Sequence, residues 1–299
     1  MSDWIRSILP SHPCPRVLNS GSQSFPVMSH ASLPALAWRV LALLLTGSTL
    51  DAQTLIPAPA ADARIASGFE LRVFADSTLA DDIQAMTIDS VGRVVVTGPG
   101  YIRTLFDDNS DGFADRSVPF AKTETGGMGL CFSGTTLLFS GDGGLWRYLD
   151  ENLDGIADAA PLKLMTLKGG EHGIHGIRQG PDGSWFVVAG NDAGAVAGTA
   201  TDPRSSVRIP QAGSILRMNN QNAQVGIFCH GLRNPYDLDF NSYGDLFTYD
   251  SDVERELHLP WYTPTRVYHT GPGAHHGWRL NGYQRSFKRP DHYPGVVPD

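Results

Sequence analysis

Four segments of the chain share one pattern of polar and apolar positions, a turn containing Gly followed by an apolar run that ends in Gly or Asp. They are "TIDSVGRVVVTG", "CFSGTTLLFSG", "GPDGSWFVVAG" and "DFNSYGDLFTYD". Aligned on Gly92, Gly134, Gly183 and Gly244, they recur at intervals of 42, 49 and 61 residues. The spacing is close to the roughly 40 to 50 residues of a four-stranded propeller blade, the last two intervals being lengthened by loops. Each apolar run is continuous rather than alternating, which predicts a central strand buried on both faces. No strong helical period competes, so the expected fold is all-β, a β-propeller of four-stranded blades. One blade cannot bury its faces alone and needs neighbours and ring closure. Four repeats reach only to about residue 265, and "RSFKRPDHYPGVVPD" shows no strand returning to complete the first blade. The expectation is a propeller over residues 68–299 that is incomplete at its C-terminus after four to five blades. A closed four-bladed ring is the alternative.

The segment ahead of the repeats has a different character. "LPALAWRVLALLLTGSTLDAQT" places Arg39 before the apolar run Val40 to Leu45 and then small polar residues up to Ala52, the order of a signal peptide. The run is too short to span a bilayer comfortably. Residues 1–52 are therefore expected to be a leader with a cleaved export signal, with Met28 as an alternative start, and residues 53–67 a linker. Export to the periplasm or cell envelope follows, with no transmembrane segment apart from the leader. Removing residues 1–52 takes away three Arg and two Asp, leaving 20 basic against 29 acidic residues, a net charge of −9. Nucleic acid and anionic membrane surfaces are therefore poor partner candidates, and no nucleic-acid partner is expected. Cys14 lies in the leader, while Cys131 and Cys229 sit in apolar stretches. An exported chain allows either a disulfide or two buried thiols there. No CxxCH motif occurs, so this chain carries no c-type haem.

Two loops between strands look built for calcium. "DDNSDGFAD" (107–115) and "DENLDGIAD" (150–158) both read D-x-N-x-D-G-x-x-D and start 43 residues apart. Ca²⁺ takes several oxygens around a tight bend. Asp107, Asn109, Asp111 and Asp115 offer side-chain oxygens, Phe113 a carbonyl and Gly112 the turn; Asp150, Asn152, Asp154, Asp158, Ile156 and Gly155 repeat the set. Val118 and Pro161 occupy the twelfth position where an EF-hand needs an acid, so these are nine-residue hairpin loops. The metal-free alternative is an Asx turn, in which the same side chains serve the loop backbone.

Successive central strands run in one sense, so the turns that follow them share one rim. Asp142, Asn191, Asp192, Asp250 and Asp252 are expected on that rim. Eight of the ten histidines lie after residue 171. Glu171 and His172 are adjacent in a Gly-rich loop, the arrangement of a base beside a carboxylate. His172 and His175 could instead chelate a transition metal with His275 and His276. In "CHGLRNPYDLDF" (229–240), Arg233 offers a rigid fork for an anion, Asn234 donates and accepts, and Pro235 fixes the turn. Each residue also has an ordinary loop or clamp role open to it.

The stretches "EHGIHGIRQGPDGSWFVVAGND", "HGLRNPYDLDF" followed by "GDLFTYDSD", and "HHGW" at 275–278 resemble the six-bladed quinoprotein sugar dehydrogenases. These are soluble glucose and sorbosone dehydrogenases that use pyrroloquinoline quinone (PQQ). More closely, residues 68–299 are similar to large envelope proteins of planctomycete-type bacteria designated membrane-bound dehydrogenases, which often add a haem-binding domain downstream. The resemblance implies His172, beside Glu171, as the base taking the hydroxyl proton of a sugar or alcohol while hydride passes to PQQ. It implies Arg233 as the stabiliser of the developing charge, with Asn234, Asn191, Asp250 and Asp252 toward the cofactor and its calcium. A downstream haem domain or a cytochrome is the implied electron acceptor. Three departures stand out. "YDSD" replaces the Gly-Pro carbonyls that hold the cofactor's calcium, His175 stands where Gly is usual, and the basic residues that grip the quinone's carboxylates belong to later blades. Two other readings stay open, a non-catalytic calcium-stabilised propeller that binds carbohydrate or a protein partner, and a His-dependent metallohydrolase.

Overall fold

A computed structural model describes residues 5–7, 55–58, 63–220, 223–250 and 265–278. The chain divides into two compact units, residues 6–74 and residues 1–5 together with 75–299. Every described element is a strand. Four short ones come first: β1 (Ile5–Ser7), β2 (Leu55–Ala58), β3 (Ala63–Ala66) and β4 (Arg72–Ala75). Of these, β2 and β3 form an antiparallel pair within the smaller unit, Leu55 opposite Ala66.

The larger unit consists of antiparallel sheets whose strands pair in chain order. The first holds β5 (Ala85–Ile88), β6 (Val94–Gly98), β7 (Tyr101–Phe106) and β8 (Arg116–Lys122). The second holds β9 (Gly127–Ser133), β10 (Thr136–Gly141), β11 (Gly144–Leu149) and β12 (Leu162–Thr166). The third holds β13 (Ile174–Gln179), β14 (Trp185–Ala189), β15 (Gly213–Met218) and β16 (Val225–Leu232). The described part of the fourth is β17 (Leu238–Phe240), β18 (Leu246–Asp250) and β19 (Arg266–Thr270). The first strands β5, β9, β13 and β17 are successive neighbours. These are the blades of a β-propeller, and each apolar run of the repeat is the second strand of its blade.

The continuous apolar runs have a direct cause. Along β10, Leu137 and Phe139 pack into a core with Val95, Ile102 and Phe120 of the first blade, whereas Leu138 joins Ile174, Val187 and Leu216 of the third. Along β14, Trp185 and Val187 face the second blade, while Phe186 and Val188 face Leu238 and Leu246 of the fourth. One strand thus feeds two inter-blade cores, and neither face is left for polar residues. Among the described residues, Cys131 and Cys229 sit in separate places in this arrangement and both are free thiols. Burial pushes the Cys229 thiol up to about 12 and raises Cys131 as well.

Strand direction decides which loops share a face. The second strands end, and the first strands begin, on one face of the blades; the connections from third to fourth strands lie on the opposite face. The two D-x-N-x-D-G loops are such connections, β7 to β8 and β11 to β12. They are therefore remote from the rim that carries His172.

Candidate active site

The residues before each first strand and after each second strand converge at the rim. Gly190, which ends the β14 run, makes the close approach that this requires. A Cβ there would stand 2.5 Å from the His172 carbonyl and 2.6 Å from Asn234 Oδ1. With only a hydrogen in that space, the loop before β13 and the turn before β17 meet over Gly190. Backbone hydrogen bonds lock the meeting point: Asn191 N donates to the Arg233 carbonyl at 2.8 Å, and Asp192 N donates to the His172 carbonyl at 3.1 Å. Asn234 Nδ2 donates to the Glu171 carbonyl at 2.8 Å.

Asp250, at the end of β18, clamps the Arg-Asn turn. Its two carboxylate oxygens accept the backbone N–H of Arg233 at 2.6 Å and of Asn234 at 2.7 Å. All three residues are buried. The structure thus gathers Glu171, His172, Asn191, Arg233, Asn234 and Asp250 in one network. Asp252, His258 and His292 lie outside the described residues.

The geometry gives His172 a different partner from the neighbouring carboxylate. Its Nδ1 lies 2.7 Å from Asn191 Oδ1, and Asn191 Nδ2 donates to Asp192 Oδ1 at 2.9 Å, which turns the amide oxygen toward the ring. An amide oxygen only accepts, so this bond needs the proton on Nδ1, which in the neutral ring leaves the lone pair on Nε2. Glu171 Oε1 stands 4.0 Å from Nε2, beyond hydrogen-bond reach, on a side chain that is 81% exposed against 18% for His172. Asn191 orients the ring. Glu171 instead stands exposed beside the Nε2 edge of the ring.

Next to this ring, and bordered by Glu171 rather than by His172 itself, is a cleft of about 500 Å³, within the usual range for small-molecule sites. Gln84, Asp142, Glu171 and Tyr236 line it, with the Gly-rich turns around Gly126, Gly141 and Gly169. Gln84 and Tyr236 escaped sequence reasoning. They hold the same place as the Glu171–His172 pair, just before the first strand of a blade, and aligning those connections would have singled them out. Asp142 is engaged locally, accepting the N–H of Glu124 and of Thr125 at 2.8 Å each.

The histidine metal site suggested by the sequence is not formed. His275 packs edge-on to His230, with ring centroids 4.5 Å apart, and its Nε2 is 3.1 Å from Gln211 Oε1. His276 packs against Tyr268, and His175 stacks on Tyr236 at 4.2 Å. Among the described residues no three His, Cys, Asp or Glu side chains gather in a group that could hold a metal ion. The reason is topological, since His172 lies at a first strand whereas His275 lies against β16, the last strand of its blade.

The His230, His275 and His276 cluster makes stability pH-dependent. Burial, reinforced by the neighbouring imidazoles, lowers His230 and His276 to about 4. The unfolded chain titrates near the ordinary histidine value of 6.5, so between about 6.5 and 4 it binds more protons than the folded one. Stability is full above that window and falls as the pH drops through it. After discounting for partial exposure, about 1–2 kcal/mol per imidazole is expected. Thermal melts from pH 7.5 to 4.5 should show Tm falling by several degrees, and His276→Asn should flatten the curve.

In both acidic loops the carboxylates serve the backbone. Asp107 accepts from Asp111 N (3.1 Å) and Gly112 N (2.9 Å), and Asp150 accepts from Asp154 N and Gly155 N at 3.0 Å each. Asn109 and Asn152 add a bond to the same amide as the first acid in each loop, and Asp115 and Asp158 close the loops onto Asp108 N and Glu151 N. The third acids, Asp111 and Asp154, accept from Phe113 N and Ile156 N. Gly112 and Gly155 both have φ of 86°, so the two loops are one structure used twice. The second also rivets blades together, with Arg93 Nη2 donating to the Leu153 carbonyl at 3.1 Å and Thr104 Oγ1 to the Gly155 carbonyl at 2.9 Å.

Residues 59–270, well over half of the chain, match the family described as a domain of unknown function, DUF7133. The chain belongs to this family. No curated protein matches this DUF7133 chain in sequence. Among solved structures it is similar to a Trichoderma reesei protein of carbohydrate-active enzyme family AA12 in an iodide structure. There the identity is 16%, the match covers 66% of this chain and 55% of that one, and the TM-score is 0.50. It is also similar to the PQQ-bound aldose sugar dehydrogenase of Streptomyces coelicolor, at 17% identity over 72% of this chain and 66% of that one, with a TM-score of 0.44. A third is the holo PQQ domain of pyranose dehydrogenase from Coprinopsis cinerea, at 16% identity over 64% and 51%, with a TM-score of 0.47. The AA12 likeness supports the propeller fold of the DUF7133 chain, and at such identity a likeness shows fold alone. The chain spans about half to two thirds of the length of these proteins. Among the described residues no helix is long and apolar enough to cross a membrane.

Proposed function

We propose that this propeller is part of a quinone-dependent dehydrogenase that oxidises a sugar or alcohol, with His172 Nε2 as the general base. The observation that carries this reading is the His172 ring, held through Nδ1 by Asn191 with Nε2 4.0 Å from Glu171, a carboxylate that lines a neighbouring cleft. A base needs an unprotonated nitrogen held toward the proton it removes. Gln84 and Glu171 supply hydroxyl partners for a polyol, and the Tyr236 ring supplies an apolar wall. The similar structures whose names include PQQ and sugar dehydrogenase lend the reading its cofactor and substrate class.

The fit to the quinone is partial. Arg233 and Asn234 are both buried in the turn joined to the His172 loop, and the Asn234 Oδ1 has no hydrogen-bond partner. Bound there, PQQ would supply the hydride acceptor. The cleft itself has no Lys or Arg among its described lining and carries two carboxylates. That suits a neutral polyol better than a quinone bearing carboxylates, and favours carbohydrate binding without turnover as the second reading. Assaying the full chain with PQQ and Ca²⁺ for dye reduction across a sugar and alcohol panel separates the two. Turnover with at least one substrate is expected. Saturable sugar binding with no turnover would select the binding module.

Export belongs to the same proposal, through the leader at residues 1–52, with a haem domain or cytochrome as electron acceptor. Ca²⁺ in the loops 107–115 and 150–158 is proposed from their duplicated sequence pattern, and binding there requires the carboxylates to leave the backbone amides they now accept from and gather around the ion. A ligand at 100 times its Kd stabilises by about 2.7 kcal/mol. Millimolar Ca²⁺ should therefore raise Tm by several degrees and EGTA reverse it; an unchanged Tm would leave both loops as Asx turns.

A further inference from the structure

A second cavity, of about 210 Å³, opens at the end of the third blade remote from the rim. Ser184 stands there just ahead of β14, Asn219 just after β15 and Gly226 near the start of β16. The long connection between β14 and β15 supplies the outer wall, because it runs along the edge of β16 and is tied to it. Thr201 N and Asp202 N both donate to the Val225 carbonyl at 2.8 Å, and Ser205 Oγ accepts the Ile227 N–H at 2.9 Å. Phe228 and Pro272 give the lining its apolar part, and Phe228 packs edge-on to Phe186 with ring centroids 5.3 Å apart. Gly226 leaves the floor open: apart from its chain neighbours, a Cβ there would meet nothing nearer than Ser205, at 3.7 Å. Two guanidiniums complete the lining. Arg204 donates from Nε and Nη2 to the Asp202 carboxylate at 3.1 and 2.9 Å, and Arg217 donates from Nε to Ser184 Oγ at 3.2 Å and from Nη2 to Asp182. A guanidinium has five N–H donors, so both keep donors for a ligand.

We propose that this cavity binds one small polyhydroxylated molecule, a single sugar ring, at a site separate from the cleft beside His172. The chemistry of the lining selects that class. Each arginine is paired with its own carboxylate, so donors and acceptors stand side by side with little net charge, and a lone anion would compete with Asp202 and Asp182 for the same guanidiniums. Sugar hydroxyls both donate and accept, and they can bridge such a pair without breaking it. The Arg204 contacts hold the Asp202 carboxyl down to about 2, so this acceptor stays ionised across the neutral range. Phe228 and Pro272 offer apolar surface to the C–H face of a ring, the usual combination of apolar wall and few polar groups in a small-molecule site. The volume is under the range for drug-sized ligands, which limits the occupant to one ring. Backbone bonds hold both sides of the wall, with Gly273 N donating to the Phe228 carbonyl at 2.6 Å, so the site is formed before a ligand arrives. None of these residues belongs to the rim network, and the inference stands independently of the dehydrogenase reading.

The full chain, labelled with ¹⁵N at arginine and free of quinone, provides the test. The described lining of the cleft beside His172 contains no arginine, so the Arg204 and Arg217 Nε–H signals report on this cavity and not on that cleft. The chain is titrated with D-glucose, D-galactose and D-xylose, and separately with inorganic phosphate. At least one sugar should move both signals saturably. Gly226→Val fills the floor at a strand position that suits a β-branched residue, and should abolish the movement. Arg204→Ala removes an exposed side chain, should fold normally, and should weaken binding about tenfold as read from the Arg217 signal. No saturable movement with any of the sugars would overturn the proposal. So would undiminished binding by Arg204→Ala, even if Gly226→Val fails to fold. Phosphate moving the signals where the sugars do not would make this an anion site and overturn the sugar assignment.

Discussion

His172→Ala is expected to reduce dye-linked turnover by about 10²–10⁴-fold, the usual contribution of a positioned general base. Little change in Tm should accompany the loss. The side chain is 18% exposed, and its one hydrogen bond is to Asn191, which stays anchored by its main chain to Arg233 and by its amide to Asp192. The size of the loss in kcat, with KM much less affected, separates a proton-abstracting role from simple substrate binding. Asn191→Ala provides the companion measurement. It leaves the imidazole in place but frees the tautomer and the ring torsion, so a smaller loss is expected. Equal activity in wild type and His172→Ala would remove the base assignment.

Asp250→Ala should be the most destabilising change at the rim. The carboxylate is 4% exposed and accepts two backbone N–H groups, those of Arg233 and Asn234, from the adjoining turn. Hydrogen bonds to a charged acceptor contribute about 1.5–3 kcal/mol each, and removing the acceptor leaves both amides buried without partners. A loss of about 3–5 kcal/mol is expected, which for a unit of this size lowers Tm by roughly 10 °C or more. Asp250→Asn keeps one amide oxygen and should cost about half as much. Urea melts of the two variants check the ordering. Activity should fall with stability in this case, because the Arg-Asn turn and the Glu171 loop are joined through Asn234.

What could be read from the sequence follows from how each feature is encoded. The second strands were legible because a strand that feeds two cores cannot show polar alternation, and four such runs at blade spacing are hard to produce otherwise. Glu171, His172, Arg233 and Asn234 stood out because each pair is contiguous and sits beside a turn. Asn191 as the partner of His172 was hidden, since 19 residues and a whole strand separate them and only the narrow passage at Gly190 brings them together. Gln84 and Tyr236 were hidden for the same reason, their common cleft being assembled from separate blades. The D-x-N-x-D-G loops show the opposite difficulty. Their pattern serves a metal and a tight turn equally, and the structure shows the carboxylates on backbone amides. The grouping of four histidines as one metal site failed because closeness in the list of histidines is not closeness across a blade.

Anaerobic mixing of the full chain, preloaded with PQQ and Ca²⁺, with aldoses and primary alcohols tests the central claim most directly. The absorbance of the quinone reports the outcome. The account predicts a single-turnover bleach with at least one substrate, slowed by two orders of magnitude or more in His172→Ala. Quinone that fails to bind the full chain, or that is reduced at the same rate without His172, would contradict it.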